Sequence, residues 1–396
     1  MNYQYSKNSD KLKPSAIRDI FKLAQRPGVI SVSAGNPSPD AFPKNEILKI
    51  ANEIFTETPI RALQYSTTDG DAEFIKYLTE YLRLNKNIFH PDDVLTITTG
   101  AQQAMQLVAR VLCDPGDIIV TEDPSFVGSL NSFRSNGARL IGVPMEDDGI
   151  NLEELEKVVK ANKIKFYYTV PNFQNPTGIT MSMEKRKKVY ELACKYDFAI
   201  LEDDPYGELY YNGVTYPAIK SLDTEDRVIY VGSFSKVISP GLRVGYTYAN
   251  KDLSRRMVIM KQADDVHTTI LSQLICHRFM RETDFSAYLD DLRRLYGHKL
   301  NFTLEKFDKY LAPYGVTHST VTGGLFVWCR LPGHIDMHEF CTRALNEYDV
   351  ALVPGDTFLI TPDETTDCFR INFSTPTYPD LEEAFKRIEK CLKSFK

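Results

Sequence analysis

A chain of 396 residues, 43% hydrophobic and 25% charged, has ordinary globular composition but exceeds what one core usually supports, so one large and one smaller domain are expected. Its formal net charge of -6 gives no electrostatic case for nucleic acid or an anionic membrane, and no apolar run reaches transmembrane length. Seven scattered cysteines without a C-x-x-C pair, behind a start that lacks an apolar leader core, predict a reduced, cytoplasmic protein.

Residues 1–45, with Pro37, Pro39 and Pro43, read as irregular apart from a helix around residues 15–25. Strand, loop and helix then alternate. Residues 94–98 precede Gly100 and a helix over Ala101–Leu112. Residues 118–122 lead through Asp123-Pro124 to a helix ending near Asn136, followed by a short strand at 140–143 and a helix over Leu152–Ala161. Strands at 164–170 and 198–202 flank a charged helix at 184–196, and 227–231 and 243–248 complete seven strands. The pattern predicts an α/β fold with a mostly parallel seven-stranded sheet between helices. Past residue 285 come a long charged helical stretch, the run Gly323-Gly-Leu-Phe-Val-Trp-Cys329, further helices and a strand at 369–373. These predict a smaller α+β domain. The expected division is a large domain at 46–284 and a small domain built from 1–45 with 285–396.

Polar residues gather where the strands end, which is where open α/β sheets bind ligands. Lys236 lies in Ser233-Phe-Ser235-Lys236, and Arg243 follows seven residues later. Hydroxyls with a guanidinium suit a phosphate, and a lysine held beside them can form a Schiff base with a carbonyl. Gly100-Ala101-Gln102 turns into a helix whose first N–H groups can hold phosphate oxygens, or is an ordinary tight turn. Phe126 offers an aromatic face to a flat heterocycle, although a core phenylalanine is the commoner outcome. Asn175, in an Asn-Pro-Thr-Gly turn, either reaches a phenolic oxygen or simply turns the chain. In Glu202-Asp203-Asp204-Pro-Tyr206 a carboxylate can pair with a protonated ring nitrogen and Tyr206 can bond a phenolate; the alternative is a solvated acidic turn. Pyridoxal 5'-phosphate (PLP) needs an amine for its aldehyde, an anion cradle, a carboxylate at its pyridine nitrogen and donors at its phenolic oxygen. Each need has a candidate, so PLP is the expected cofactor.

On these residues the chain resembles the fold-type-I PLP-dependent aminotransferases of class I/II. It is most similar to the branch holding 2-aminoadipate and kynurenine aminotransferases and MocR-like regulators. The resemblance runs from Ile17 to the C-terminus and rests on Asn175-Pro-Thr-Gly, Asp203-Asp-Pro-Tyr and Ser233-x-Ser-Lys236 with Arg243. It implies transfer of an amino group between an L-amino acid and a 2-oxo acid. One pair would be 2-oxoglutarate/glutamate, and the other 2-aminoadipate, an aromatic or a branched-chain amino acid. Lys236 would be the coenzyme-binding lysine and catalytic base, Asp203 the partner of the pyridine nitrogen, and Asn175 and Tyr206 the partners of the phenolic oxygen. Gly100, Ala101, Gln102, Ser233, Ser235 and Arg243 would hold the phosphate, with Phe126 stacked on the ring. Arg370 would clamp the substrate α-carboxylate, with Asn175 and Gly35 beside it. Tyr65 resembles the tyrosine that reaches the neighbouring subunit's phosphate, which implies a homodimer with shared sites.

Two positions depart from the family pattern. Phe126 stands where many relatives carry tyrosine, and Ala34-Gly35 stands where they often show Gly-Gly, so the substrate wall is expected to differ there. Arg18 matches an arginine that meets substrate side chains in aminoadipate-type relatives, or is a solvated helix residue. Ser233-x-x-Lys236 also fits the S-x-x-K of penicillin-recognising hydrolases, but S-D-N and K-T-G are absent. His334 and His338 flank Asp336 at helical spacing yet form no H-E-x-x-H, so no metal is expected. The effector half of a MocR regulator would need a basic winged-helix domain before residue 1, and none is expected. A PLP-dependent lyase or decarboxylase on the same fold is the remaining alternative, because the coenzyme does not fix which bond breaks.

Overall fold

The computed structural model describes residues 3–5, 26–361 and 363–395; the expected helix at 15–25, with Arg18, lies outside the described residues. Strand β1 (Ile30–Ser31) and helices α1 (Lys44–Glu57), α2 (Pro59–Leu63) and α3 (Ala72–Lys86) lead into the large sheet. There follow β2 (Asp93–Thr98), α4 (Ala101–Leu112), β3 (Ile118–Asp123), α5 (Val127–Ser135), β4 (Arg139–Glu146), β5 (Gly149–Ile150) and α6 (Leu152–Ala161). Next come β6 (Ile164–Thr169), α7 (Met183–Tyr196), β7 (Ala199–Asp204), β8 (Val228–Ser233), β9 (Gly245–Asn250), α8 (Lys251–Asp264) and α9 (Ile270–Glu282).

The strands form one eight-stranded sheet in the order β2-β9-β8-β7-β6-β3-β4-β5. Pairs β4-β3, β3-β6, β6-β7 and β7-β8 are parallel, while β9 runs antiparallel to both β8 and β2. All seven expected strands are therefore present. The eighth, β5, is a two-residue hairpin partner of β4, too short to show alternation in sequence. The last expected strand starts at Gly245 instead of 243, because Arg243 takes a left-handed conformation (φ 54°) that ends a turn over Pro240–Leu242.

Burial on both faces explains why these strands read as apolar runs and not as alternations. Along β6, Phe166 and Tyr168 enter one core layer while Tyr167 enters the other, and all three are fully buried. Side chains leave a strand on alternate faces, and both faces here are covered.

The rest of the chain adds α10 (Phe285–Tyr310), β10 (Thr317–His318), β11 (Phe326–Arg330), α11 (Met337–Asn346), β12 (Val350–Ala351), β13 (Val353–Pro354), β14 (Cys368–Asn372) and α12 (Tyr378–Lys393). A four-stranded antiparallel sheet, β10-β11-β14-β13, forms the smaller α+β domain. Strand β1 pairs in parallel with β12, Ile30 opposite Val350, so residues near the start of the chain are tied to residues near its end. The seven cysteines are free thiols, six of them buried. No helix among the described residues is long and apolar enough to cross a membrane.

Candidate active site

Since β2 is parallel to β8 through their common partner β9, the carboxyl ends of β2, β3, β6, β7 and β8 share one sheet edge. Every expected coenzyme residue except Tyr65 sits at that edge, and a cavity of about 310 Å³ opens there. Ala101, Gln102, Phe126, Asn175, Asp203 and Tyr206 line it. So do Ser233, Ser235, Lys236, Arg243, Gly35 and Arg370. The wall also includes Met105, Val170 and Phe326, which the sequence did not single out. Met105 follows Ala101 by one helical turn, so helical spacing alone could have indicated it.

Three consecutive acids end β7, and all three are buried, so the solvated-turn alternative does not apply. The backbone N–H groups of Ile219 and Lys220 donate to Glu202, both at 2.8 Å. Asp204 receives Asn172 Nδ2 (2.8 Å) and the Tyr230 hydroxyl (2.7 Å), and pairs with Lys86 at 3.3 Å. Burial pushes Asp204 upward, but these partners outweigh it and hold its carboxyl below the usual value. Asp203 leaves the strand on the other face. Its Oδ2 accepts the Tyr168 hydroxyl at 2.9 Å, and its Oδ1 is buried with no partner among the described residues. Burial pushes its pKa from 3.8 up to about 8. Of the three carboxylates it alone offers an open oxygen to the cavity.

Lys236 Nζ donates to the Gly35 carbonyl at 2.7 Å. Burial, followed by repulsion from Arg370 and Arg243, lowers its pKa from 10.5 to about 8. Arg370 comes from β14 and is only 2% exposed. It donates to Asn175 Oδ1 (2.7 Å) and the Ser33 carbonyl (2.8 Å), while its Nε has no partner among the described residues. The rings of Phe326 and Phe358 lie 4.2 and 4.9 Å from its guanidinium carbon. Burial lowers even this guanidinium, to about 10. A buried cation without a carboxylate costs several kcal/mol, on the order of 3–5 when its partner is missing, which marks the position as an anion receptor. Asn175 also favours the ionised form of the buried Tyr206 phenol, so one side chain bears on both Arg370 and Tyr206.

The phosphate candidates meet at the start of α4. Gly100 (φ 74°) caps that helix without a side-chain hydrogen bond; the Gln103 N–H donates to the Gly100 carbonyl at 3.2 Å, while the N–H groups of Ala101 and Gln102 have no acceptor among the described residues and are open to an anion. A Cβ at Gly100 would come within 2.4 Å of Arg243 Nη2, so glycine is what lets the guanidinium lie against the turn. Gln102 spends its side chain on the Gly128 carbonyl (2.7 Å) and on Ser132, which leaves its backbone at the cavity.

One expected coenzyme residue falls outside this grouping. Tyr65 does not line the cavity; it is 81% exposed, edge-on to His267 at 5.9 Å. Asp336 and His338 are otherwise engaged: Asp336 caps α11 by accepting the Glu339 N–H at 2.7 Å, and His338 Nε2 lies 2.9 Å from Asp356. A larger cavity, about 680 Å³, takes Asp204 into its wall instead of Asp203. Its charges neutralise one another, with Lys86 3.0 Å from Glu208 and Arg293 3.1 Å from the same carboxylate.

The smaller cavity is net cationic, with Lys236, Arg243 and Arg370 against the single carboxylate of Asp203. An acceptor for a ring N–H, an amine of lowered basicity, an uncapped helix start beside an arginine and a second buried arginine match PLP with an amino-acid substrate. The two orphaned polar atoms, Asp203 Oδ1 and Arg370 Nε, suit the ring nitrogen and a carboxylate respectively. The donor set fits.

Known proteins give the same result. The sequence profile described as aminotransferase class I and II matches residues 27–388. The chain is 37% identical over 393 residues to the 2-aminoadipate transaminase of Thermus thermophilus, covering 98% of this chain and 96% of that one. It is 36% identical over 397 residues to aromatic-amino-acid aminotransferase 1 of Thermococcus litoralis, covering 98% and 94%. The crystal structure of Pyrococcus horikoshii kynurenine aminotransferase, in complex with PMP, superposes with a TM-score of 0.94 at 36% identity, covering 98% of this chain and 97% of that one. The chain belongs to the class I and II aminotransferases and is a PLP-dependent enzyme of fold type I.

Proposed function

We propose that the enzyme exchanges amino groups between 2-oxoglutarate/glutamate and a second pair, 2-aminoadipate or an aromatic amino acid. The observation that carries this reading is one cavity holding Lys236 Nζ, the open Asp203 Oδ1 and the buried Arg370 guanidinium. The range of side chains is supported by the names of the relatives, which span aminoadipate and aromatic substrates. The two-part wall of Gly35 and Phe326 is apolar, and a Cβ on Gly35 would press to 3.2 Å from the Phe326 ring. Glycine there preserves room for a long side chain.

When bound, PLP supplies an electron sink and a carrier for the amino group. Asp203 Oδ1 would accept the ring N–H, and Asn175 with Tyr206 would bond the phenolic oxygen. The start of α4, Ser233, Ser235 and Arg243 would hold the phosphate, and Phe126 would offer its face to the ring. Arg370 would take the substrate α-carboxylate through its free Nε edge, which fixes the class of substrate and not its identity. Lys236 Nζ, poorly solvated and beside two guanidinium groups, is suited to take up and return the α-proton near neutral pH. The division into a large domain (46–284) and a small domain (1–45 with 285–396) belongs to this proposal and is supported by the β1–β12 pairing.

The purified protein is expected to absorb in the visible range. Borohydride should abolish that band and leave the coenzyme fixed on Lys236, as read by peptide mass spectrometry. A protein that takes up no added PLP, or a label on another lysine, would refute the assignment. A panel of amino acids with 2-oxoglutarate, followed by the spectral change of the bound coenzyme, identifies the second substrate pair.

The exposure of Tyr65 supports a homodimer, and seven free thiols support a cytoplasmic location. Ile60 and Leu63, just before it, are 73% and 72% exposed, and Val266 beside His267 is 47% exposed. These apolar side chains form a surface suited to a second copy. If Tyr65 completes the partner's phosphate site, mixing inactive Lys236→Ala and Tyr65→Ala proteins should restore sites with both native residues. Activity that stays at the sum of the two separate proteins would rule out a shared site.

A further inference from the structure

Asp203 has a neighbour with no role so far. The Tyr168 hydroxyl donates to Asp203 Oδ2 at 2.9 Å, and Ser129 Oγ donates to the same Tyr168 oxygen at 2.8 Å. A phenol has a single hydrogen. Because Ser129 fills the acceptor side of the oxygen, that hydrogen is committed to Asp203. Both residues are fully buried, so the two hydrogen bonds fix the orientation of the donor, and the Phe133 ring packs edge-on against the Tyr168 ring at 5.3 Å. Burial holds the Tyr168 phenol well above its ordinary value, so it remains a neutral donor at every working pH.

The surroundings of Asp203 give this contact its weight. Burial disfavours the carboxylate, and the charges of Asp204 on the same strand and Glu122 on β3 disfavour it further. Among the described residues Tyr168 on β6 is the one neighbour that favours it, and no cationic side chain contributes. A carboxylate so placed is a strong base, and a strong base would strip the proton from the ring nitrogen it faces. The electron sink depends on that proton remaining on the ring.

We propose that Tyr168, itself fixed by Ser129, is a positioning residue that keeps Asp203 a carboxylate and so keeps the proton on the coenzyme's ring nitrogen. The relay Ser129–Tyr168–Asp203 joins α5, β6 and β7 and touches neither substrate nor coenzyme through its first two members. It rests on the pairing of Asp203 with the ring nitrogen proposed above.

Ring-nitrogen protonation can be read directly in the holoenzyme loaded with coenzyme carrying ¹⁵N in the ring, by its NMR shift across pH 6–9. The native enzyme should show a protonated ring. Tyr168→Phe should move the signal toward the unprotonated form as pH rises. Its coenzyme dissociation constant should increase about 10-fold or more, the usual effect of losing one hydrogen bond to a charged group. Its kcat should fall while KM for the amino acid changes little, since Arg370 is untouched. Ser129→Ala should act in the same direction, more weakly, and carries the test if Tyr168→Phe does not fold. Phe133→Leu loosens the same packing without touching the relay, so it should lower thermal stability and leave the ¹⁵N signal in place.

The relay is overturned if Tyr168→Phe, or Ser129→Ala where that variant alone folds, keeps the native ¹⁵N signal and coenzyme affinity. Equal displacement of the signal by Phe133→Leu would also overturn it, because general loosening would then suffice. Asp203→Asn separates the two levels. If it shifts the signal and Tyr168→Phe does not, only the relay fails; if Asp203→Asn leaves the signal native, the pairing fails and the relay with it.

Discussion

Lys236→Ala is expected to abolish exchange of the substrate α-proton, with a loss of at least about 10⁴-fold. Removing a general base alone costs about 10²- to 10⁴-fold, and among the described residues Lys236 is also the cavity's one amine. Alanine removes both functions. The fold should survive: among the described residues Lys236 Nζ donates one hydrogen bond, to the Gly35 carbonyl, and its charge is repelled by Arg370 and Arg243. The lysine's pKa is lowered to about 8 from 10.5, so the folded protein binds its proton less tightly than the unfolded chain does. That depression opposes folding below about pH 8 and fades as pH rises toward 10.5. Coenzyme-free Lys236→Ala should therefore melt higher than the coenzyme-free parent near neutral pH, by a margin that shrinks between about pH 8 and 10.5. Incubating amino acid with coenzyme-loaded enzyme in D₂O and following the α-proton by NMR checks the catalytic half. Thermal melts check the other. Exchange at the native rate in the variant would remove Lys236 from the chemistry.

Much of this site was legible in the sequence, because strand ends are marked by local signals. Apolar runs closed by turn residues located six of the seven expected strands closely, and a parallel sheet brings its carboxyl ends to one edge whatever the loop lengths. The less legible features are non-local or very short. Nothing in Glu202-Asp203-Asp204 says which acid is open; alternation along β7 and partners as distant in sequence as Lys86 and Asn172 decide it. Arg370 reaches Asn175 across 195 residues and Ser33 across 337. Tyr168 reads as one more aromatic in a buried strand, and its bond to Asp203 depends on how β6 lies beside β7. Strand β5 is two residues long and β9 starts two residues late, after the left-handed Arg243, features set by tertiary contact and not by periodicity. Exposure of Tyr65 was equally invisible, since a tyrosine that serves a partner and one that fills a core look alike in sequence.

Asp203→Asn should have opposite consequences in the presence and absence of coenzyme. Amide nitrogen and protonated ring nitrogen are both donors, so one amide arrangement sets two donors face to face and the other leaves the Tyr168 hydroxyl without its acceptor. Removing one member of a buried ion pair costs about 3–5 kcal/mol, or roughly two to three and a half orders of magnitude in kcat/KM. Without coenzyme the sign reverses with pH. The Asp203 carboxyl has a folded pKa of about 8 against an ordinary 3.8, so the folded protein binds this proton more tightly than the unfolded chain. Its contribution to stability is fully present below about pH 3.8 and is lost progressively as pH rises through about 8. Asparagine does not titrate. The melting temperature of the coenzyme-free variant should therefore rise relative to the native protein as pH increases from 5 to 8, then level off. Glu122 and Glu202, each pushed up to about 7 by burial, titrate in both proteins, so the difference between the two reads Asp203 together with its charge coupling to Glu122. Adding PLP should stabilise the native protein more than the variant, because the ring N–H gives the carboxylate the partner it lacks. A difference in melting temperature that does not change with pH would show that Asp203 is not held as a costly buried carboxylate. The function assigned to it here would then need another source for its strength.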